Sequence, residues 1–179
     1  MRGSSSRTSP TCSAGSRRDR RARGRWSPIL VAAASAIVVA AAGAWLTTLG
    51  PWYRSLAVPS WKPPDWAFGP VWTTIFTLTA IAGVLAWNAA PEGPERTWLL
   101  AAFAVNGILN IAWSGVFFRL QRPDWALIEV AALWLSVVVL IVVVGRHSGL
   151  GALLLVPYLV WVGTAATLNW SIVRLNGPF

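Results

Sequence analysis

The sequence is short of the side chains that most chemistry and most water-facing surfaces require. Its 179 residues include one Cys, one His, one Met and one Lys, and only 12% are charged, about half the share of a soluble domain. A lone Cys12 excludes a disulfide scaffold. So little charge excludes a soluble globule, which would need more of it at the surface. An apolar content of 55% excludes a disordered chain. No spacing suits zinc or another metal, and no glycine-rich phosphate loop occurs. The single His147 lies in a short connection and assembles no Ser-His-Asp set. What is abundant is Trp, thirteen of them, in a chain of net charge +9. This is the composition of a membrane protein rich in Trp.

The charge is unevenly spread. Residues 1–27 hold eight Arg and one acid, Asp19, among Ser and Gly, which predicts a disordered tail. Arg17, Arg18, Arg20, Arg21, Arg23 and Arg25 immediately precede a long apolar run. That placement favours a positive-inside anchor or contact with anionic lipid over nucleic-acid binding. A cleaved signal competes, with Ala42-Gly43-Ala44 as its small-residue site. The run 29–46 is longer than the usual apolar core of about 7–15 residues. Twin-arginine and transit signals are the other targeting alternatives.

Five apolar runs approach the ~20 residues that cross hydrocarbon. They are Pro28 to Thr48, Pro70 to Asn88, Thr97 to Phe118, Asp124 to Gly145 and Leu150 to Leu175. Ser27 should cap the first and Asp124 the fourth, and Pro157 should kink the fifth or free a carbonyl. The fold class is therefore an all-α membrane protein, a bundle of five transmembrane helices over 28–176, with 177–179 as the C-terminal end. The connection over about 49–69 carries Trp52, Trp61, Trp66 and four Pro, and reads as a folded lid over one end of the bundle. With the N-terminus inside, inner segments carry ten Lys+Arg and outer segments five. The charge rule thus puts the N-terminus in the cytoplasm and the Trp-rich loop outside. The tail decides this, because without it the count is two against five.

The spans hold no Lys, His or Cys, which excludes a retinal Schiff base and His or Cys ligation of haem within the bundle. They do hold aromatic faces with amides and small gaps. Asn106, Asn110, Trp113 and Phe117 share one helical face, as do Trp72, Phe76, Gly83 and Trp87. Trp161, Ala165 and Leu168 share a third, with Asn169 close by. Such faces suit a flat, largely apolar ligand that makes a few hydrogen bonds. They equally suit Trp filling a core and Asn joining helices. Trp26, Trp45, Trp87, Trp98 and Trp125 lie near span ends and read as an interfacial belt. Glu129, about one turn into its span, is either a functional carboxylate or an interfacial one near Arg119 or Arg122.

Four blocks carry a resemblance. WYRSLAVPSWKPPDWAFGPVWT (52–73), LNIAWSGVFF (109–118), PDWALIE (123–129) and PYLVWVGTAATLNWSIVRLN (157–176) resemble, in order, the TspO family of tryptophan-rich sensory proteins, called translocator protein or peripheral benzodiazepine receptor in animals. The resemblance implies a five-helix bundle, often dimeric, with a pocket under the first loop. It implies binding of protoporphyrin IX or related tetrapyrroles, with no resident cofactor required, and of isoquinoline and benzodiazepine drugs, sterols being left open. Its pocket positions would be Trp52, Tyr53, Pro63, Trp66, Trp72, Phe76, Asn110, Trp113, Glu129, Trp161 and Ala165. Light-dependent porphyrin breakdown, if present, would require Trp72 and Trp161. Lys62 stands where animal members often have His, and Trp170 where their cholesterol motif has Tyr. The reading is a membrane receptor for porphyrins and similar flat ligands, a homodimer in a bacterial plasma membrane, regulating tetrapyrrole or stress responses. A porphyrin-degrading photo-enzyme and a porphyrin or sterol transporter are the alternatives. The absence of an internal repeat argues against coupled transport.

Overall fold

The computed structural model describes residues 14–179, with side chains from Ser27 onward. The helices are α1 (Ala14–Leu46), α2 (Pro51–Ser55), α3 (Asp65–Ala89), α4 (Pro94–Ser114), α5 (Pro123–Gly145) and α6 (Gly149–Asn176). A π-helical turn, Gly115–Arg119, prolongs α4. There is no strand among the described residues, and five of the helices are long and apolar enough to cross a membrane.

Helix starts follow local chemistry. Pro51, Pro94 and Pro123 each open a helix, where the missing N–H costs nothing. Gly93 precedes Pro94 at φ 111°, a conformation that glycine adopts without strain. The Ser148 hydroxyl caps α6 by accepting from the Gly151 N–H at 3.0 Å. Helix α4 begins at Pro94, three residues before the expected Thr97, and three further starts differ from the sequence expectation. Helix α1 continues through Pro28 back to Ala14, because Arg is a good helix former and extends a helix begun in hydrocarbon. The portion 14–27 of the expected tail is thus helical, and residues 1–13 lie outside the described residues. Helix α3 begins at Asp65, with Pro70 inside it. Asp124 does not cap α5, because Pro123 takes the first helical position and Asp124 instead pairs with Arg122 Nε at 2.8 Å. Helix α6 runs unbroken through Pro157.

Helix α5 packs along α6 and α4, α3 meets α6, and α1 leans on α3 and α4. Three apolar clusters stack along the bundle. At the tail end Ala82, Ala86, Leu99, Leu140, Val144 and Leu155 are buried. Ile75, Val130, Leu133, Val137, Tyr158 and Val162 fill the middle. Phe117, Ala126, Leu168 and Ile172 close the end that carries the first loop. Not one residue of the α1 span is buried, so the core belongs to the other four spans.

Candidate functional site

The first loop is a folded lid. Helix α2 lays Trp52 against Phe117 (centroids 6.0 Å apart) and Tyr53 against Phe118 (5.7 Å). Asn176, at the end of α6, accepts from the Ala57 N–H at 2.7 Å and donates to the Ala57 carbonyl at 2.8 Å. On the other flank the Tyr53 hydroxyl donates to Asp65 Oδ1 at 3.0 Å, and Lys62 pairs with the same carboxylate. Burial pushes the Tyr53 hydroxyl above its ordinary 10.0, although Lys62 pulls the other way. Burial also works to lower the Lys62 pKa, but its bonds to Asp65 and Tyr53 outweigh that and the net shift is upward from 10.5.

Beneath the lid the aromatic faces meet. Trp72 stacks on Phe76 at 5.3 Å and 24° and meets Tyr158 edge-on at 6.1 Å. Phe68 meets Trp161 edge-on at 5.5 Å, and Trp113 lies 5.4 Å from Phe117. Trp72, Trp113 and Trp161 all pack on the middle cluster, and Trp113 also reaches the loop-end cluster. Three helices thus bring one indole each to the seam between those clusters.

The polar groups at this level divide into two sets. Asn110 Nδ2 donates to the Tyr158 hydroxyl at 3.1 Å, which donates to Asn106 Oδ1 at 3.2 Å. Asn106 Nδ2 donates in turn to Ser136 Oγ at 2.9 Å. This relay ties α4, α5 and α6 together. The other set has no partner. Trp113 Nε1, Trp161 Nε1, both Glu129 carboxylate oxygens and both Asn169 amide atoms are buried without a hydrogen bond among the described residues. Glu129 lies between Ala126 of the loop-end cluster and Val130 of the middle one, and Asn169 between Val162 and Ile172. Two indole donors are thus left unmet at the aromatic seam, and a carboxylate and an amide on the helices that flank it.

A family profile, described as the TspO/MBR family, matches residues 29–175. The chain belongs to the TspO/MBR family. It is 41% identical over 127 residues to the tryptophan-rich protein TspO of Chlorobaculum tepidum, covering 70% of this chain and 79% of that one. It is 37% identical to the protein of the same name from Archaeoglobus fulgidus, covering 83% of this chain and 98% of that one. Against the human translocator protein the identity is 33%, covering 70% and 75%. The chain is an integral membrane protein of this family, and the apolar helices and tryptophan content fit that assignment.

Within this TspO/MBR bundle the expected site residues fall in different places. Trp72, Trp113, Trp161 and Phe76 lie at or beside the seam, with half-buried Trp52 and Tyr53 above it in the lid. Ala165 and Pro63 are half-buried, and Glu129 has its carboxylate oxygens buried. Asn110 is committed to Tyr158. Trp66 is 75% exposed and turns away from the seam. Trp87, expected in the interfacial belt, stands near the end of α3, where it lines a cavity at the tail end. Sequence reasoning passed over Tyr158 and Phe68 and gave Asn169 no role. The α6 face Tyr158, Val162, Asn169, spaced i, i+4 and i+11, could have shown two of them.

Proposed function

We propose that the chain is a membrane receptor for porphyrins and related flat, apolar ligands, with protoporphyrin IX as the reference ligand. The observation that carries this reading is the set of unpartnered groups on the helices that form the aromatic seam: Trp113, Trp161, Glu129 and Asn169. A buried polar atom without a partner costs about 1–3 kcal/mol, and more in hydrocarbon, where water cannot substitute. A macrocycle with pyrrole N–H donors, acceptor nitrogens and a broad π-face would satisfy both kinds of group while stacking on the indoles. Its carboxylates would sit near the lid and meet Arg54, since Lys62 already serves Asp65. Occupancy would then signal through the lid, which rests on the same aromatics. In this reading the receptor is a homodimer in the plasma membrane, with the N-terminus cytoplasmic and the first loop outside. The excess of Arg in the tail supports that orientation.

The test is titration of detergent-purified protein with protoporphyrin IX in the dark, followed by Trp fluorescence. Saturable quenching at micromolar porphyrin, weakened in Trp161→Phe, is the expected result. No quenching in that range overturns the reading. The second reading, light-dependent degradation, is favoured by Trp72 and Trp161, two redox-active indoles at the seam. Illumination of the same samples separates the two. Stable porphyrin bands mean binding alone, whereas band loss that vanishes in Trp72→Phe and Trp161→Phe means turnover.

A further inference from the structure

A cavity lies at the opposite end of the bundle, away from the lid. About 680 Å³ opens between α1, α3 and α4, within the range of small-molecule sites. Trp113, Trp161 and Glu129 do not line it; its deep wall is Phe76, Asn106 and Tyr158. Phe76 therefore turns one face to Trp72 and the other to this space. The two sites stand back to back.

Side-chain size explains why the space exists. Ala36 on α1, Ala80 and Gly83 on α3 and Gly107 on α4 all line it. Facing small residues normally let membrane helices close on one another. Here two wedges occupy the approach. A Cβ at Gly83 would come within 3.2 Å of the Phe103 ring, and one at Gly107 within 3.2 Å of Val39 Cγ2. The helices stay apart and leave an apolar groove. It opens sideways to hydrocarbon, because Val31, Leu100 and Ile108 line it and are each more than half exposed.

One guanidinium stands near the mouth of the groove. Ser27, Pro28 and Trp87 line it there. The Arg96 guanidinium lies over the Trp87 ring, 4.9 Å from its centroid, and donates to Glu92 Oε1 at 3.2 Å. Arg96 Nε is buried with no partner among the described residues. In the sequence Arg20, Arg21, Arg23 and Arg25 lead directly into Ser27. An apolar slot that opens to the bilayer, beneath the Arg96 guanidinium and beside the arginine-rich start of α1, is complementary to an acyl chain attached to an acidic headgroup. A zwitterionic headgroup gains less there, since it brings no net charge to the arginines.

We infer that this groove holds an acyl chain of an anionic phospholipid, with its phosphate on Arg96. The experiment is native mass spectrometry of the full chain in neutral detergent, with equal amounts of dioleoyl phosphatidylglycerol and dioleoyl phosphatidylcholine. The wild type should retain one phosphatidylglycerol per chain, at roughly tenfold preference over phosphatidylcholine. Arg96→Gln should bring that ratio close to one, and Ala36→Phe, which fills the slot, should reduce retention of both lipids. Arg96 lies in the first turn of α4, outside the core, so the test stands even where Ala36→Phe fails to fold. Equal retention of the two lipids by the wild type overturns the inference, as does an unchanged preference in Arg96→Gln. Displacement of the lipid by protoporphyrin IX, mole for mole, would assign the groove to the porphyrin site. One lipid per two chains, found only on dimers, would assign it to an interface between copies. Either result removes the lipid site.

Discussion

At the scale of single residues, the carboxylate of Glu129 and the hydroxyl of Tyr158 make opposite demands on the bundle. Glu129 is buried without a partner, whereas Tyr158 is the hub of a relay among α4, α5 and α6. Removing an unpaired buried polar group relieves a cost, and removing a satisfied one creates two. Glu129→Leu should therefore raise the melting temperature of the ligand-free protein, by about 2–4 °C for each ~1 kcal/mol gained. The same variant should weaken protoporphyrin quenching about tenfold, if the carboxylate serves a ligand donor. A fall in melting temperature would mean that Glu129 has a structural partner instead. Tyr158→Phe leaves Asn110 Nδ2 and Asn106 Oδ1 without their partner and should cost about 1–2 kcal/mol. A thermal melt in detergent that stays within a degree of wild type would contradict that. The sequence made the identity of the seam residues legible, since Trp72, Trp113 and Trp161 follow helical spacing. It did not show which polar groups are satisfied. Asn110, expected as a ligand contact, donates to Tyr158, 48 residues away along the chain.

At the scale of elements, the lid and the helix ends carry the predictions. Asn176 makes two hydrogen bonds to Ala57 and holds the lid to α6 from a single side chain. Asn176→Ala should leave the bundle intact and free the lid. Hydrogen exchange at Ala57 and its neighbours should rise at least tenfold, with α3–α6 unchanged. Lys62 and Tyr53 hold the other flank, and both have their pKa raised on folding. Their contribution is then fully present below the ordinary values of 10.0 and 10.5, and is lost as pH rises through the raised ones. The lid should resist proteinase K through neutral pH and admit it above about pH 10. Cleavage that is flat to pH 11, or that already rises at pH 8, would detach the lid from these two groups. Some element boundaries could be read locally and others could not. Gly93-Pro94 marks a helix start by backbone preference alone. The π-turn at Gly115–Arg119 has no local signature; it brings Arg119 to donate to the Trp45 carbonyl at 2.8 Å, a contact 74 residues distant. The early start of α3 is of the same kind, because Phe68 gains Trp161 as a neighbour only when the helix begins before Pro70.

At the scale of the whole molecule, two distributions organise the chain, and they act at different ends. Trp72, Trp113 and Trp161, two of them with unpartnered indole N–H groups, gather beneath the lid, and the proposed receptor function rests on them. Charge gathers ahead of Ser27 and bears on how the protein sits in the membrane. The loops of the described core oppose that orientation, since their basic residues number two on the tail side and five on the lid side. Counted by the loops, the lid would face the cytoplasm; counted with residues 1–27, it faces out, ten against five. Few residues set the balance, so it should be easy to reverse. Replacing Arg17, Arg18, Arg20, Arg21, Arg23 and Arg25 together by Gln lowers the tail-side count from ten to four, below the lid side. The variant should insert with mixed or inverted orientation. A C-terminal reporter active only in the cytoplasm should be silent on the wild type and active on the variant. A reporter that stays silent would mean that the first apolar span, and not the arginines, sets the orientation. The bundle would then be indifferent to its own charge.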